Sequence, residues 1–119
     1  MSKRRWRHYR TQSGACPTLE FIRAQPLAVS REIAAAMKQV QEDGLSVARK
    51  LRGNIWEVRA KYDTNIYRLL FSPQGGHSHV LLGLECFQKK TQKTPSAKID
   101  LAEARLADWI RRGKSSLGT

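Results

Sequence analysis

Two arginines on neighbouring strand-like segments and three lysines downstream are the side chains of this sequence best suited to chemistry. Ile55 to Tyr62 and Ile66 to Ser72 flank Asp63-Thr64-Asn65, as the arms of a hairpin would. If Tyr62 faces Asn65 across a tight turn, Trp56 pairs with Phe71, Val58 with Leu69 and Ala60 with Tyr67, all on one apolar face. The same register sets Arg59 directly opposite Arg68 on the other face, beside Glu57, Lys61 and Leu70. Facing like charges destabilise a sheet by up to about 1 kcal/mol unless an anion lies between them, so the pair marks a candidate anion site. The run Phe87-Gln88-Lys89-Lys90-Thr91-Gln92-Lys93-Thr94-Pro95 then puts three lysines within five residues. A loop anchored by a strand and a helix presents ammonium groups in a fixed pattern, which suits a polyanion.

The elements that must hold these groups follow from periodicity. Trp6 to Thr11 alternates bulky and basic residues and is expected as a first strand. Pro17 to Gln25 has a short helical pattern that Pro26 stops. Val29, Ile33, Ala36, Met37 and Val40 form one stripe of a second helix, with Gly44 in the C-cap position. Leu45 to Asn54 is expected as a basic connector carrying Arg49, Lys50 and Arg52. After the hairpin and a Gly-rich turn, Ser78 to Phe87 has the apolar character of a central strand. Thr94-Pro95 has the form of an N-cap and first helical residue, opening a helix over Ser96 to Arg112 that Gly113 ends. The predicted fold is an α+β domain over residues 1–113, with residues 114–119 as a flexible tail. Its small antiparallel sheet, an N-terminal strand plus a three-stranded meander, is covered by two N-terminal helices and a C-terminal helix. With helices on one face, the face carrying Arg59 and Arg68 should be open.

Composition narrows the partners. A chain of 119 residues with 40% hydrophobic residues can bury one core without metal or disulfide support. Its net charge of +12, from 22 Lys+Arg against 10 Asp+Glu, points to nucleic acid or an acidic protein. No apolar run approaches the ~18 residues of a membrane span, and no apolar segment follows the basic N-terminus as in a secretory signal. Cys16 and Cys86 have no close Cys or His partners and are expected as buried free thiols in a reducing cytoplasm. His8, His77 and His79 are expected as surface residues rather than catalysts, and Trp6, Trp56 and Trp109 as core.

Three stretches together carry a family resemblance: Ile55-Trp56-Glu57-Val58-Arg59, Ile66-Tyr67-Arg68-Leu69-Leu70-Phe71, and the lysine loop through Thr94-Pro95. With Tyr9-Arg10-Thr11-Gln12-Ser13-Gly14 and Leu19-Glu20-Phe21 at the N-terminus, the chain resembles the phage-derived HigB-like branch of the RelE toxin superfamily over nearly its whole length. The lysine loop is the specific part of the match. The resemblance implies the toxin of a type II toxin-antitoxin system, a cytoplasmic endoribonuclease that cleaves mRNA on the translating ribosome without metal or cofactor. Its implied partners are mRNA, the ribosome and a cognate antitoxin, often a helix-turn-helix protein, with no membrane.

By the same resemblance, Arg68 matches the superfamily's catalytic strand arginine, Arg59 a basic position on the preceding strand, and Lys89 or Lys90 the basic residues after the last strand. Arg59 and Arg68 would then hold the scissile phosphate. Lys89, Lys90 and Lys93 would bind flanking phosphates or transfer protons, with Lys50, Arg52 and Lys61 as further RNA-binding cations. This chain departs from relatives nearer RelE itself in carrying Ser96-Ala97 where they have a tyrosine, so the resemblance names no general base. Glu85-Cys86 replace a histidine and glycine, which would bring a carboxylate near the arginines. A catalytically silent RNA- or ribosome-binding protein is the alternative. A DNA-binding regulator is disfavoured because the first two helices lack a surface-basic recognition helix. The nuclease reading expects Arg68→Ala to abolish growth arrest at unchanged stability.

Overall fold

The structure is a computed structural model that describes residues 4–89 and 93–117. Its elements are β1 (Arg5–His8), α1 (Pro17–Arg23), α2 (Leu27–Asp43), β2 (Arg49–Arg52), β3 (Ile55–Tyr62), β4 (Asn65–Gln74), β5 (Val80–Gln88) and α3 (Ser96–Leu117). The five strands form one sheet in the order β1-β5-β4-β3-β2. β1 runs parallel to β5, and the other neighbours are antiparallel.

The β3–β4 register is the one the hydrophobic pattern predicts: Trp56 opposes Phe71, Val58 opposes Leu69, Arg59 opposes Arg68, Ala60 opposes Tyr67, and Tyr62 opposes Asn65. Because strand side chains alternate between faces, this register sorts the core in two. Val58, Ala60, Tyr67, Leu69 and Phe71 pack with Val29, Ile33 and Val40 of α2. On the reverse face Ile55, Leu70, Leu82, Leu84 and Phe87 pack with Tyr9, with Ala102 of α3, and with its partly buried Ile99, Leu106 and Trp109. Fully burying one such side chain contributes about 1.5–3 kcal/mol, so both faces are driven to be covered.

That second layer corrects the expectation of an open sheet face. The apolar stripe of α3 has to be buried somewhere, and the face opposite α1 and α2 is where Ile55, Leu70 and Leu84 await it. Two further differences concern the edges. The basic connector is an edge strand, β2, whose Arg49 opposes Glu57 and whose Lys50 opposes Trp56. The first strand is shorter than expected and joins β5 in parallel, which makes the sheet mixed rather than antiparallel. Lys, Arg and few apolar residues on both edges are what blunts sheet-to-sheet pairing, and that composition hid β2 as a loop.

Helix boundaries follow local chemistry. Pro17 lies in the first turn of α1, and the Glu20 carboxylate accepts the Cys16 N–H at 2.9 Å, satisfying a donor the helix leaves free. Gly44 ends α2 at φ 79°, in the left-handed region that favours glycine. Gly113, expected to stop α3, lies inside it, and the helix continues to Leu117. Thr94 is not its N-cap: the Pro95 carbonyl accepts the first helical N–H bonds, from Lys98 and Ile99, at 3.0 and 3.3 Å. Cys16 and Cys86 are buried free thiols, and burial pushes the Cys86 thiol up to about 12. Among the described residues no helix is long and apolar enough to cross a membrane.

Ion pairs fasten α3 across the sheet. Arg52 of β2 pairs with Asp100 and with Glu103, the latter at 2.6 Å. Glu85 of β5 holds Lys98 at 2.7 Å and Arg105 at 3.2 Å. The Tyr9 hydroxyl donates to Asp108 at 2.6 Å, and Arg112 pairs with the same carboxylate at 2.8 Å.

Two outcomes are expected from this packing. A Cβ on Gly83 would stand 2.6 Å from the His8 Nδ1, so Gly83→Ala should displace β1 and cost about 1–3 kcal/mol in urea unfolding; unchanged stability would contradict the close approach. The Tyr9 hydrogen bond, helped by Arg112 and Arg111, holds the Asp108 carboxyl below its usual range. A group with a depressed folded pKa contributes stability above its unfolded pKa of ~3.9 and loses it as pH falls through the folded value. Asp108→Asn should therefore lower the melting temperature at neutral pH and flatten the decline below about pH 4.

Candidate functional site

Arg59 and Arg68 face each other as the register requires, and the anion that accompanies them is the protein's own. Glu57 stands two residues before Arg59 on β3, hence on the same face. Its Oε1 accepts the Arg59 Nε–H at 2.6 Å, and its Oε2 lies 3.5 Å from the Arg68 Nη1. Thr94 closes the network: its hydroxyl accepts from Arg68 Nη1 at 2.9 Å and donates to Glu57 Oε2. The hydroxyl expected to cap α3 is thus engaged with the sheet.

Burial separates the two arginines. The side chains of Arg68 and Glu57 have no exposed surface, whereas Arg59 keeps 32% of its own. Only Arg59 of this network presents a guanidinium to a molecule approaching from solvent. The carboxylate beside the arginines is Glu57 rather than Glu85, which is held by Lys98 and Arg105.

Above this network opens a cleft of about 390 Å³ in which Arg49, Lys50, Arg59 and Lys93 converge, with Leu51, Thr94 and Ile99 completing its wall. Edge strand β2 supplies two of the cations, β3 the third, and the segment before α3 the fourth. A neighbouring opening of about 340 Å³ shares Arg49 and Arg59 with it and is bordered by Glu57. Such a concentration of positive charge beside apolar walls favours a phosphate-bearing ligand. Among the described residues, no three His, Cys, Asp or Glu side chains gather as metal ligands would.

The other expected cations are distributed differently. Lys61 opposes Ile66, and the Lys89 N–H donates to the Ile66 carbonyl at 3.2 Å. Both are exposed and extend the positive side two pairs beyond Arg59 and Arg68, outside the cleft lining. Arg52 also stands outside it, clasped by Asp100 and Glu103. Lys90 lies outside the described residues. Two polar members of the cleft went unassigned in the sequence, Arg49 and Thr94. Arg49 was not findable from regular pairing: with Arg52 opposite Ile55 an unbroken strand would set Lys50 opposite Glu57, and an irregularity between Lys50 and Arg52 shifts Arg49 into that place. Nor was Thr94, since the same Thr-Pro pair is also a helix-start signal.

Comparison with known proteins bears on the same segments. Two curated relatives, each named Probable endoribonuclease HigB1, come from Mycobacterium tuberculosis strains CDC 1551 / Oshkosh and ATCC 25618 / H37Rv. Each is 38% identical over 63 residues, which is 53% of this chain and 48% of the relative. The chain spans about half the length of the curated relatives it matches. The family described as Phage derived protein Gp49-like (DUF891) matches residues 20–107, a stretch holding β2 to β5, the cleft and most of α3. The chain therefore belongs to the phage-derived Gp49-like family, the HigB-like branch of the RelE superfamily to which its lysine-loop motif pointed.

Proposed function

We propose that this protein is the toxin of a type II toxin-antitoxin system, an endoribonuclease that cuts mRNA on the translating ribosome. The observation that carries the proposal is the convergence of Arg49, Lys50, Arg59 and Lys93 on one cleft beside a buried carboxylate. The name of the HigB1 relatives supports the activity.

The reaction proposed is transesterification within the RNA. The substrate's 2′-oxygen forms a bond to phosphorus as the bond to the 5′-oxygen breaks, leaving a 2′,3′-cyclic phosphate and a 5′-hydroxyl. The proton lost by the 2′-hydroxyl goes to a base, and the leaving oxygen receives one. Since RNA itself supplies the nucleophile, no metal-bound hydroxide is required. Arg59 donates to the non-bridging oxygens as charge develops in the phosphorane, with Lys93 beside it, while Arg49 and Lys50 hold flanking phosphates. Lys61 and Lys89 extend the RNA track, and the family resemblance assigns Lys90 to RNA as well.

Arg68 takes a different role from the one its strand position implied. Fully buried, it holds Glu57 and Thr94, and through them it orients Arg59 and the start of the Lys93 segment. Arg68 and Glu57 are positioning residues. Arg68→Ala would leave the Glu57 carboxylate short of a buried counter-ion, at a cost of about 3–5 kcal/mol, so loss of activity in that variant would report folding as well as chemistry. A cognate antitoxin, a helix-turn-helix protein with an acidic segment, would neutralise the toxin in the cytoplasm by covering the cleft.

Arg59→Ala is the discriminating variant, because its side chain is partly exposed and Glu57 retains Arg68 and Thr94. In 5′-end mapping of a message in a translating extract, the wild type should produce cuts within the coding sequence that require translation. Arg59→Ala should reduce them about 10²- to 10³-fold while changing the unfolding midpoint little. RNA binding with no cuts by the wild type would replace the proposal with the silent RNA-binding alternative. Undiminished cutting by Arg59→Ala would remove the cleft from the mechanism.

A further inference from the structure

A second cationic cleft lies towards the other end of α3. Arg7, His8, Arg10, Leu19, Trp109 and Arg112 line it, and its volume is about 330 Å³. Its cations come from the first strand, the loop after it, and the C-terminal half of α3. Arg112 already serves the fold: it pairs with Asp108, lies over the Tyr9 ring at 5.3 Å, and donates to the Arg10 carbonyl. Arg7 and Arg10 are exposed, and among the described residues neither pairs with a carboxylate. The Arg10 guanidinium donates to the Gly14 carbonyl at 3.2 Å. Arg7 also borders a neighbouring opening with Arg5 and His79, so the positive charge continues along the outer edge of β1.

We propose that this second cleft binds single-stranded RNA, taking a backbone phosphate between Arg7 and Arg10 and an adjacent base against Trp109. The proposal rests on the reading that RNA is the substrate, and it adds a contact remote from the reacting phosphate. Exposed guanidiniums beside an aromatic wall are the combination by which proteins hold unpaired nucleotides, with charge on the backbone and stacking on the base. The two clefts share one rigid element: Ile99 lines the first and Trp109 the second, about 15 Å apart along α3 at 1.5 Å per residue. A strand of the ~4–16 nucleotides that single-strand grooves commonly engage is long enough to reach both clefts. The second cleft would hold the strand while the first acts on it.

The test uses the full chain and a fluorescent single-stranded RNA of about twelve nucleotides, 2′-O-methylated throughout so that it cannot be cleaved. Anisotropy titrations over a salt series compare the wild type with the Arg7→Ala/Arg10→Ala double variant. Losing the one phosphate that both arginines hold should weaken binding about tenfold at low salt and reduce the slope of log K against log salt by about 0.7. Arg7→Lys/Arg10→Lys should restore most of that slope, since it restores the charge. Unchanged affinity and slope in the double variant would overturn the proposal. So would unchanged RNA binding together with weakened binding of a poly-glutamate peptide, which would make the cleft a docking site for an acidic protein. Failure of the nuclease reading is separable: a wild type that leaves translated messages intact refutes that reading, while the salt slope still decides this one.

Discussion

A single buried carboxylate decides what two facing arginines can do. Glu57 accepts from Arg59 through one oxygen and meets Arg68 and Thr94 through the other. Without it, two guanidiniums directly opposed on adjacent strands would repel each other in a setting largely shielded from water. With it, Arg68 is neutralised within the protein and Arg59 is turned, half-held, towards the cleft. A buried ionic network of this kind adds little net stability compared with well-packed apolar side chains, but it cannot be half-removed without large cost. It also fixes register. A slip of one residue between β3 and β4 would move Glu57, Arg59 or Arg68 into the apolar layer beneath α2, where no partner awaits them.

The same network joins the site to the fold. Thr94 belongs to the segment that leads from the lysine loop into α3, so bonding its hydroxyl to Arg68 and Glu57 anchors Lys93 beside the sheet. α3 then crosses the sheet and uses its own acidic residues as clasps, Asp100 and Glu103 for Arg52 and Asp108 for Arg111 and Arg112. Ion pairs among the described residues engage Glu57, Glu85, Asp100, Glu103 and Asp108. Half of the 10 acidic residues are therefore engaged by cations of the protein itself, while Arg49, Lys50 and Lys93 line the cleft, where they can act on a polyanion.

Much of this was legible in the sequence, because period-2 alternation specifies register strongly when one face is buried. Trp56, Val58 and Ala60 on one strand and Tyr67, Leu69 and Phe71 on the other exclude one-residue slips, and the tight turn that sets Tyr62 opposite Asn65 selects the observed pairing. That pairing alone set Arg59 opposite Arg68. Burial was less accessible. An arginine on a strand is ordinarily solvated, and nothing in the order of residues shows that α3 would close over Arg68 rather than leave it open. The connector at Arg49 to Arg52 was equally opaque, since an edge strand stabilised by main-chain pairing carries little apolar signal. Thr94 shows how one residue with two adequate local explanations conceals the tertiary one: capping chemistry accounted for it in sequence, while Glu57 and Arg68 claim its hydroxyl in the fold.

The most direct measurement on the central claim is a double-mutant cycle between Glu57 and Arg68, using Glu57→Gln and Arg68→Met and equilibrium unfolding in urea. If the carboxylate compensates the buried guanidinium, each single change should be markedly more destabilising than its share of the double, giving a coupling energy of about 2 kcal/mol or more. Additivity to within about 0.5 kcal/mol would contradict the account, because the two side chains would then be stabilised independently and Glu57 would not be the anion that holds the arginines together.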